Sequence, residues 1–114
     1  MEATIYIYDL EQSLFISIPF TLDNYEHVWS PDGSKIAFVA RETSRLGETH
    51  LEKITNSDIW IVDSDGNGLT NLTTTGQGYF ESSPIWIDYQ TMIIEQKLNN
   101  EETKNVVLTI SQKQ

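Results

Sequence analysis

The chain has 114 residues, enough for one all-β domain, and a formal net charge of -10 from 17 Asp and Glu against 7 Lys and Arg. That balance excludes nucleic acid as an expected partner, because such binding rests on cations that neutralise phosphate. With no cysteine there is no disulfide frame, thiolate metal site or cysteine nucleophile, and no stretch nears the roughly 18 apolar residues of a membrane-spanning helix.

Short runs rich in Ile, Val, Tyr, Phe and Trp alternate with clusters of Gly, Asp, Asn, Ser and Pro, which is the pattern of strands and turns. Met1 to Leu10 lacks the basic-then-apolar profile of a secretory signal and holds the first strand, Thr4 to Tyr8. A second follows at Ser13 to Ile18. Thr21 to Glu26 reads as a connection leading to a third strand at His27 to Trp29. Pro31 and Gly33 then mark a tight turn, Ser30 to Ser34, into a fourth strand at Lys35 to Ala40. Arg41 to Asn56 reads as a long loop. Beyond it lie strands at Asp58 to Asp63 and Gly68 to Leu72, divided by an Asp63 to Gly68 turn. After a connection at Thr74 to Ser82, the remaining strands are expected at Phe80 to Ile87, Thr91 to Gln96 and Asn105 to Ile110. The fourth and fifth strands are apolar at consecutive positions, as in Ile36, Ala37, Phe38 and Val39, so their sheet needs cover on both faces.

Sliding the chain over itself exposes a repeat. The IYIYDLE string from Ile5 lies over IWIVDSD from Ile59, and WSPDGSKIAF from Trp29 over WIDYQTMII from Trp86 with one gap. The repeating unit is four strands, a to d. On this reading residues 1-20 hold strands c and d of a first unit, 26-73 a complete unit, and 80-114 strands a to c of a third.

The string WSPDGSKIAF, with DIWIVDSDGNGLTNLT from Asp58 and PIW from Pro84, resembles the WD-like repeat of TolB-type β-propellers. The middle unit carries nearly the whole pattern. The third replaces Ser-Pro-Asp-Gly with Ile87, Asp88, Tyr89 and Gln90, and about ten residues from Glu48 to Ser57 are inserted relative to the family. The resemblance implies an all-β fold of four-stranded antiparallel blades forming a partial propeller, a scaffold that binds protein or peptide, and a location outside the cytoplasm. An isolated run of blades would leave its outer sheet faces bare, so further blades are expected from a longer chain or from other copies. Two alternatives stay open: a part of the propeller that gates a serine peptidase of the prolyl-oligopeptidase type, and a self-assembling structural protein.

No catalytic constellation, cofactor motif or metal site is expected from the residues. There is no Gly-x-Ser-x-Gly elbow, no phosphate loop, and neither His27 nor His50 has a partner at metal-ligand spacing. Asp63, Asp65, Asn67 and Gly66 imitate the first half of a calcium loop, but Thr74 stands where a bidentate Glu is required, so a structural turn is the expected reading. The best binding candidate is the Arg41 to Asn56 loop with the two connections that share its rim. Arg41, Arg45, His50, Lys53, Asp23, Tyr25, Tyr79 and Phe80 would converge there, a mixture of charge and aromatics suited to a protein or peptide. Removing Glu48 to Asn56 is expected to leave folding nearly intact, as for a surface loop.

Overall fold

Alternating apolar residues and well-placed turn formers produce nine strands and no helix among the described residues of the computed structural model, which are 4–20, 22–45, 52–76, 78–99 and 101–110. The strands are β1 (Ile5–Asp9), β2 (Leu14–Ile18), β3 (Asp23–Trp29), β4 (Lys35–Arg45), β5 (Glu52–Asp63), β6 (Thr70–Asn71), β7 (Tyr79–Trp86), β8 (Thr91–Leu98) and β9 (Lys104–Thr109). The all-β expectation holds, strand for strand. No helix of the described residues is long and apolar enough to cross a membrane.

β1 and β2 form a separate antiparallel hairpin. β3, β4, β5 and β6 run as an antiparallel meander, and β7, β8 and β9 as another. The two meanders belong to one mixed sheet through a single parallel pair, Ser57 with Phe80. The β3–β4 turn is closed by Asp32, whose Oδ1 accepts the Ser30 hydroxyl at 2.7 Å, the Ser34 hydroxyl at 2.8 Å and the Ser34 N–H at 3.1 Å. Gly33 sits at φ +73°, a conformation that a side chain would strain.

The central meander is covered on both faces, as its doubly apolar strands require. Toward β1–β2 point Ile36, Phe38, Ala40 and Val62, packed with Ile5, Ile7, Ile18 and Phe20 and flanked by Trp60. Toward β7–β9 point Ala37, Val39, Ile59 and Ile61, packed with Met92, Ile94 and Ile110. Period-2 alternation of β4 and β5 thus splits the core into two layers.

The internal repeat has a structural counterpart. The β3–β4 register breaks between Tyr25 and Val28, and the β7–β8 register between Ser82 and Ile85. Each bulge contains one non-glycine residue at φ 54°, Glu26 in the first and Ser83 in the second. These residues are separated by 57 positions, as are Trp29 and Trp86.

Three expectations need correction. Arg41 to Asn56 is not an open loop: β4 continues to Arg45 and β5 starts at Glu52, joined by register pairs from Arg41 with Ser57 to Arg45 with Glu52. The ladder satisfies backbone groups that a polar, weakly alternating sequence gave no sign of pairing. Asp23 to Glu26 and Tyr79, read only as connections, belong to β3 and β7, and Phe80 to Ser82, which fell in both an expected connection and an expected strand, are strand. Finally, Asn56 is buried and Glu52 to Asn56 are paired strand, so removing Glu48 to Asn56 would take away sheet and core together, rather than a dispensable loop.

Candidate functional site

Register, more than loop convergence, brings the sequence-selected residues together. Asp23 pairs with Arg41, Arg41 with Ser57, Ser57 with Phe80, and Phe80 with Lys97, a row across five strands at one end of the sheet. Beyond this row the β4–β5 ribbon projects by about 13 Å, from four further residues at about 3.3 Å each. Lys53 stands exposed on the ribbon, opposite Ser44. Arg45 contributes its backbone to the ribbon; its side chain and the whole of His50 lie outside the described residues.

At the row, Arg41 Nη2 lies 3.5 Å from Asp23 Oδ2, and its guanidinium carbon sits 5.5 Å from the Tyr25 ring centroid. Stacking on an aromatic face and pairing with a carboxylate are the two interactions a planar guanidinium makes best. Arg41 Nε is buried with no partner, so the head group keeps an unspent donor. Burial pushes the Tyr25 hydroxyl above its ordinary pKa, Glu26 adds to the rise, and Arg41 opposes it. Tyr79 and Phe80 are half-buried beside the row. The described residues thus bring a guanidinium, the Asp23 carboxylate and the Tyr25 ring into contact, with Phe80 two strands farther along the same row.

The calcium-like turn is closed on itself. Lys35 Nζ binds Asp63 Oδ1 at 2.6 Å, the Asn67 N–H donates to Asp65 Oδ1 at 2.9 Å, and the Asp63 N–H donates to the Asn67 carbonyl at 2.9 Å. The Asn67 N–H bond, above all, holds the Asp65 carboxyl below the ordinary range. Gly68 packs against the Asp63 carboxylate, where an added Cβ would meet Oδ2 at 2.9 Å. Among the described residues no group of three or more His, Cys, Asp and Glu is placed to hold a metal ion.

A buried polar cluster near Ser57 escaped the sequence reading. Asn56, Ser57, Asp58 and Glu81 are all buried. Asp58 Oδ2 accepts from Asn56 Nδ2 at 3.2 Å and Asn71 Nδ2 at 3.3 Å; its Oδ1 accepts from the Thr73 hydroxyl at 2.5 Å. The Thr75 hydroxyl lies 3.3 Å from the same Asp58 Oδ1 and also contacts Glu81 Oε1. Burial holds the Glu81 carboxyl above its ordinary range; the Thr75 hydroxyl opposes this, the Asp58 charge adds to it, and Thr73 and Gln96 pull weakly down. Counting back by twos from inward Trp86 assigns Glu81 to the outer face. The bulge between Ser82 and Ile85 reverses that count and turns Glu81 inward.

Comparison with family models, with curated proteins and with solved structures finds no match to this chain.

Proposed function

We propose that the chain is a run of TolB-type propeller blades whose β4–β5 end binds a protein or peptide without catalysis. Support for the blades comes from the repeated bulge, 57 residues apart, in two meanders that pack face to face. The observation that carries the binding reading is the contact of Arg41 with both Asp23 and Tyr25, on a register row that continues through Ser57 to Phe80. Rigid aromatic and arginine anchors are the residues that most often dominate protein interfaces.

Panning a random peptide library against the full chain tests it. Enriched peptides are expected to lose roughly tenfold or more in affinity for a Tyr25→Ala, Arg41→Glu variant. No enrichment, or equal binding to the variant, would overturn the reading.

The outer faces favour a companion proposal, that these blades are covered by further blades. Tyr6 (62% exposed), Tyr8 and Phe15 (59%) form an aromatic group outside β1–β2, with ring centroids 5.2 and 5.8 Å apart. At the other end Ile85 (62%) pairs with Ile93, and Ile93 with Val107 (61%), giving an aliphatic row outside β7–β9. Light scattering over a dilution series is expected to show a defined multimer or association. A folded monomer that stays monodisperse at high concentration would count against it.

A further inference from the structure

The cluster between β5, the β6–β7 connection and β7 poses a proton-counting problem. Asp58 already accepts from Asn56, Asn71 and Thr73. The Thr73 hydroxyl has one proton, committed to Asp58, while its oxygen accepts the Ile59 N–H at 3.3 Å. The Thr75 hydroxyl also has one proton, yet its oxygen meets both Asp58 Oδ1 and Glu81 Oε1. If both carboxylates were ionised, one of these two oxygen contacts would hold no proton and would be repulsive. A single added proton makes both contacts hydrogen bonds.

Glu81 is where that proton belongs. Its side chain is fully buried, and Oε2 makes no hydrogen bond of normal geometry, with Thr73 and Gln96 near it only as weak donors, whereas Asp58 is supplied from several sides. An ionised carboxylate with one dry, unpartnered oxygen is costly; a neutral acid whose carbonyl oxygen goes unpartnered is far cheaper. Protonated, Glu81 donates to Thr75 Oγ1, and Thr75 donates to Asp58 Oδ1.

We propose that Glu81, Thr75 and Asp58 form a proton-closed latch that ties β7 to β5 and opens when Glu81 ionises. Opening removes one hydrogen bond and sets two carboxylates against each other across one hydroxyl. Between β5 and β7 there remain the Ser57 hydroxyl on the Glu81 carbonyl at 2.7 Å, the Gly78 N–H on the Thr55 carbonyl at 2.9 Å and the Ser57–Phe80 strand pair, beside the aliphatic layer and the Trp86 bond to the Val28 carbonyl. Of the groups that face Glu81, Asp58 on β5 is ionisable, while Thr73, Thr75 and Gln96 on β8 are neutral. Arg41 on β4 directs its charge to Asp23.

The sign is fixed by which state holds the proton. A carboxyl whose folded pKa exceeds its unfolded value makes the folded state bind more protons between the two, so stability falls as pH rises through that window. The window opens near the ordinary glutamate value, about 4.3, and closes at the raised value.

The test is urea unfolding of the full chain from about pH 5 to about pH 9, beside Glu81→Gln, whose amide can donate to Thr75 at any pH. In the wild type the folding equilibrium is expected to fall by up to tenfold per pH unit within the window. The difference between the two proteins should carry that slope, leaving the variant without it. A variant that keeps the wild-type slope overturns the latch. If Glu81→Gln fails to fold, the carboxyl carbon of Glu81 is followed by NMR in the wild type: a raised titration midpoint supports the latch, and an ordinary one overturns it.

Discussion

The two joints that flank the central meander are built from different physics. The β1–β2 joint is apolar and aromatic: Phe20 stands edge-on to Phe38 and Trp60 at 5.4 and 5.1 Å, and the His27 ring stacks on Phe38 at 5.4 Å. Among the described residues no strand pairing crosses it. The β7–β9 joint has an aliphatic layer as well, but adds a strand pair, the Ser57 and Trp86 hydrogen bonds, and the buried carboxyl cluster. Apolar contact is non-directional, so the first joint is held by area and shape. The second is pinned at named atoms, which fixes how its layers sit on one another. One chain thus contains a glued joint and a keyed one.

Emptying the glued joint should have the largest effect. Phe38→Ala or Trp60→Ala is expected to cost about 3–5 kcal/mol, read from urea unfolding, with amide exchange rising first in β1–β2 and last in β8. A loss under about 1 kcal/mol, or equal loosening on both sides, would erase the distinction. In the keyed joint, Trp86→Phe removes the 3.1 Å bond from Trp86 Nε1 to the Val28 carbonyl while keeping an aromatic ring in the apolar layer. About 0.5–1.5 kcal/mol is expected. No measurable change would mean that the bond does not key the joint.

pH should separate the joints with opposite signs, and here the effect is smallest. Burial against Phe38 pushes the His27 ring below its ordinary pKa of about 6.5. The unfolded chain therefore takes up that proton first, and stability is lost as pH falls through the window below about 6.5. The glued joint weakens as pH falls through the His27 window and the keyed one as pH rises through the Glu81 window. His27→Gln should remove the acid-side slope and leave the Glu81 slope in place; persistence of the acid-side slope would assign it elsewhere.

Much of this was legible in the residues. Consecutive apolar positions in Ile36 to Val39 foretold a sheet covered on two faces, and Pro31 with Gly33 foretold the turn between β3 and β4. Of the residues selected as neighbours, Asp23, Arg41 and Tyr25 are in contact, while Phe80 stands two strands farther along the row. Their grouping was ascribed to loops, however, because Arg41 to Asn56 is polar and alternates poorly, and strand pairing without a buried face leaves little trace in composition. Glu81 was missed for a different reason. A bulge shifts inward and outward by one position, and nothing in Glu-Ser-Ser-Pro announces where the shift falls.

The β4–β5 hairpin also sets an order of events. Its eleven register pairs join neighbours in sequence and enclose little chain, so it can close early, ahead of contacts that pay for larger loops. β1–β2 leaves the ribosome before β4–β5, yet a lone two-stranded hairpin is marginal in water, and the surface it needs, from Ile36 to Val62, is made later. Of these two hairpins, the one synthesised earlier is therefore expected to be secured later.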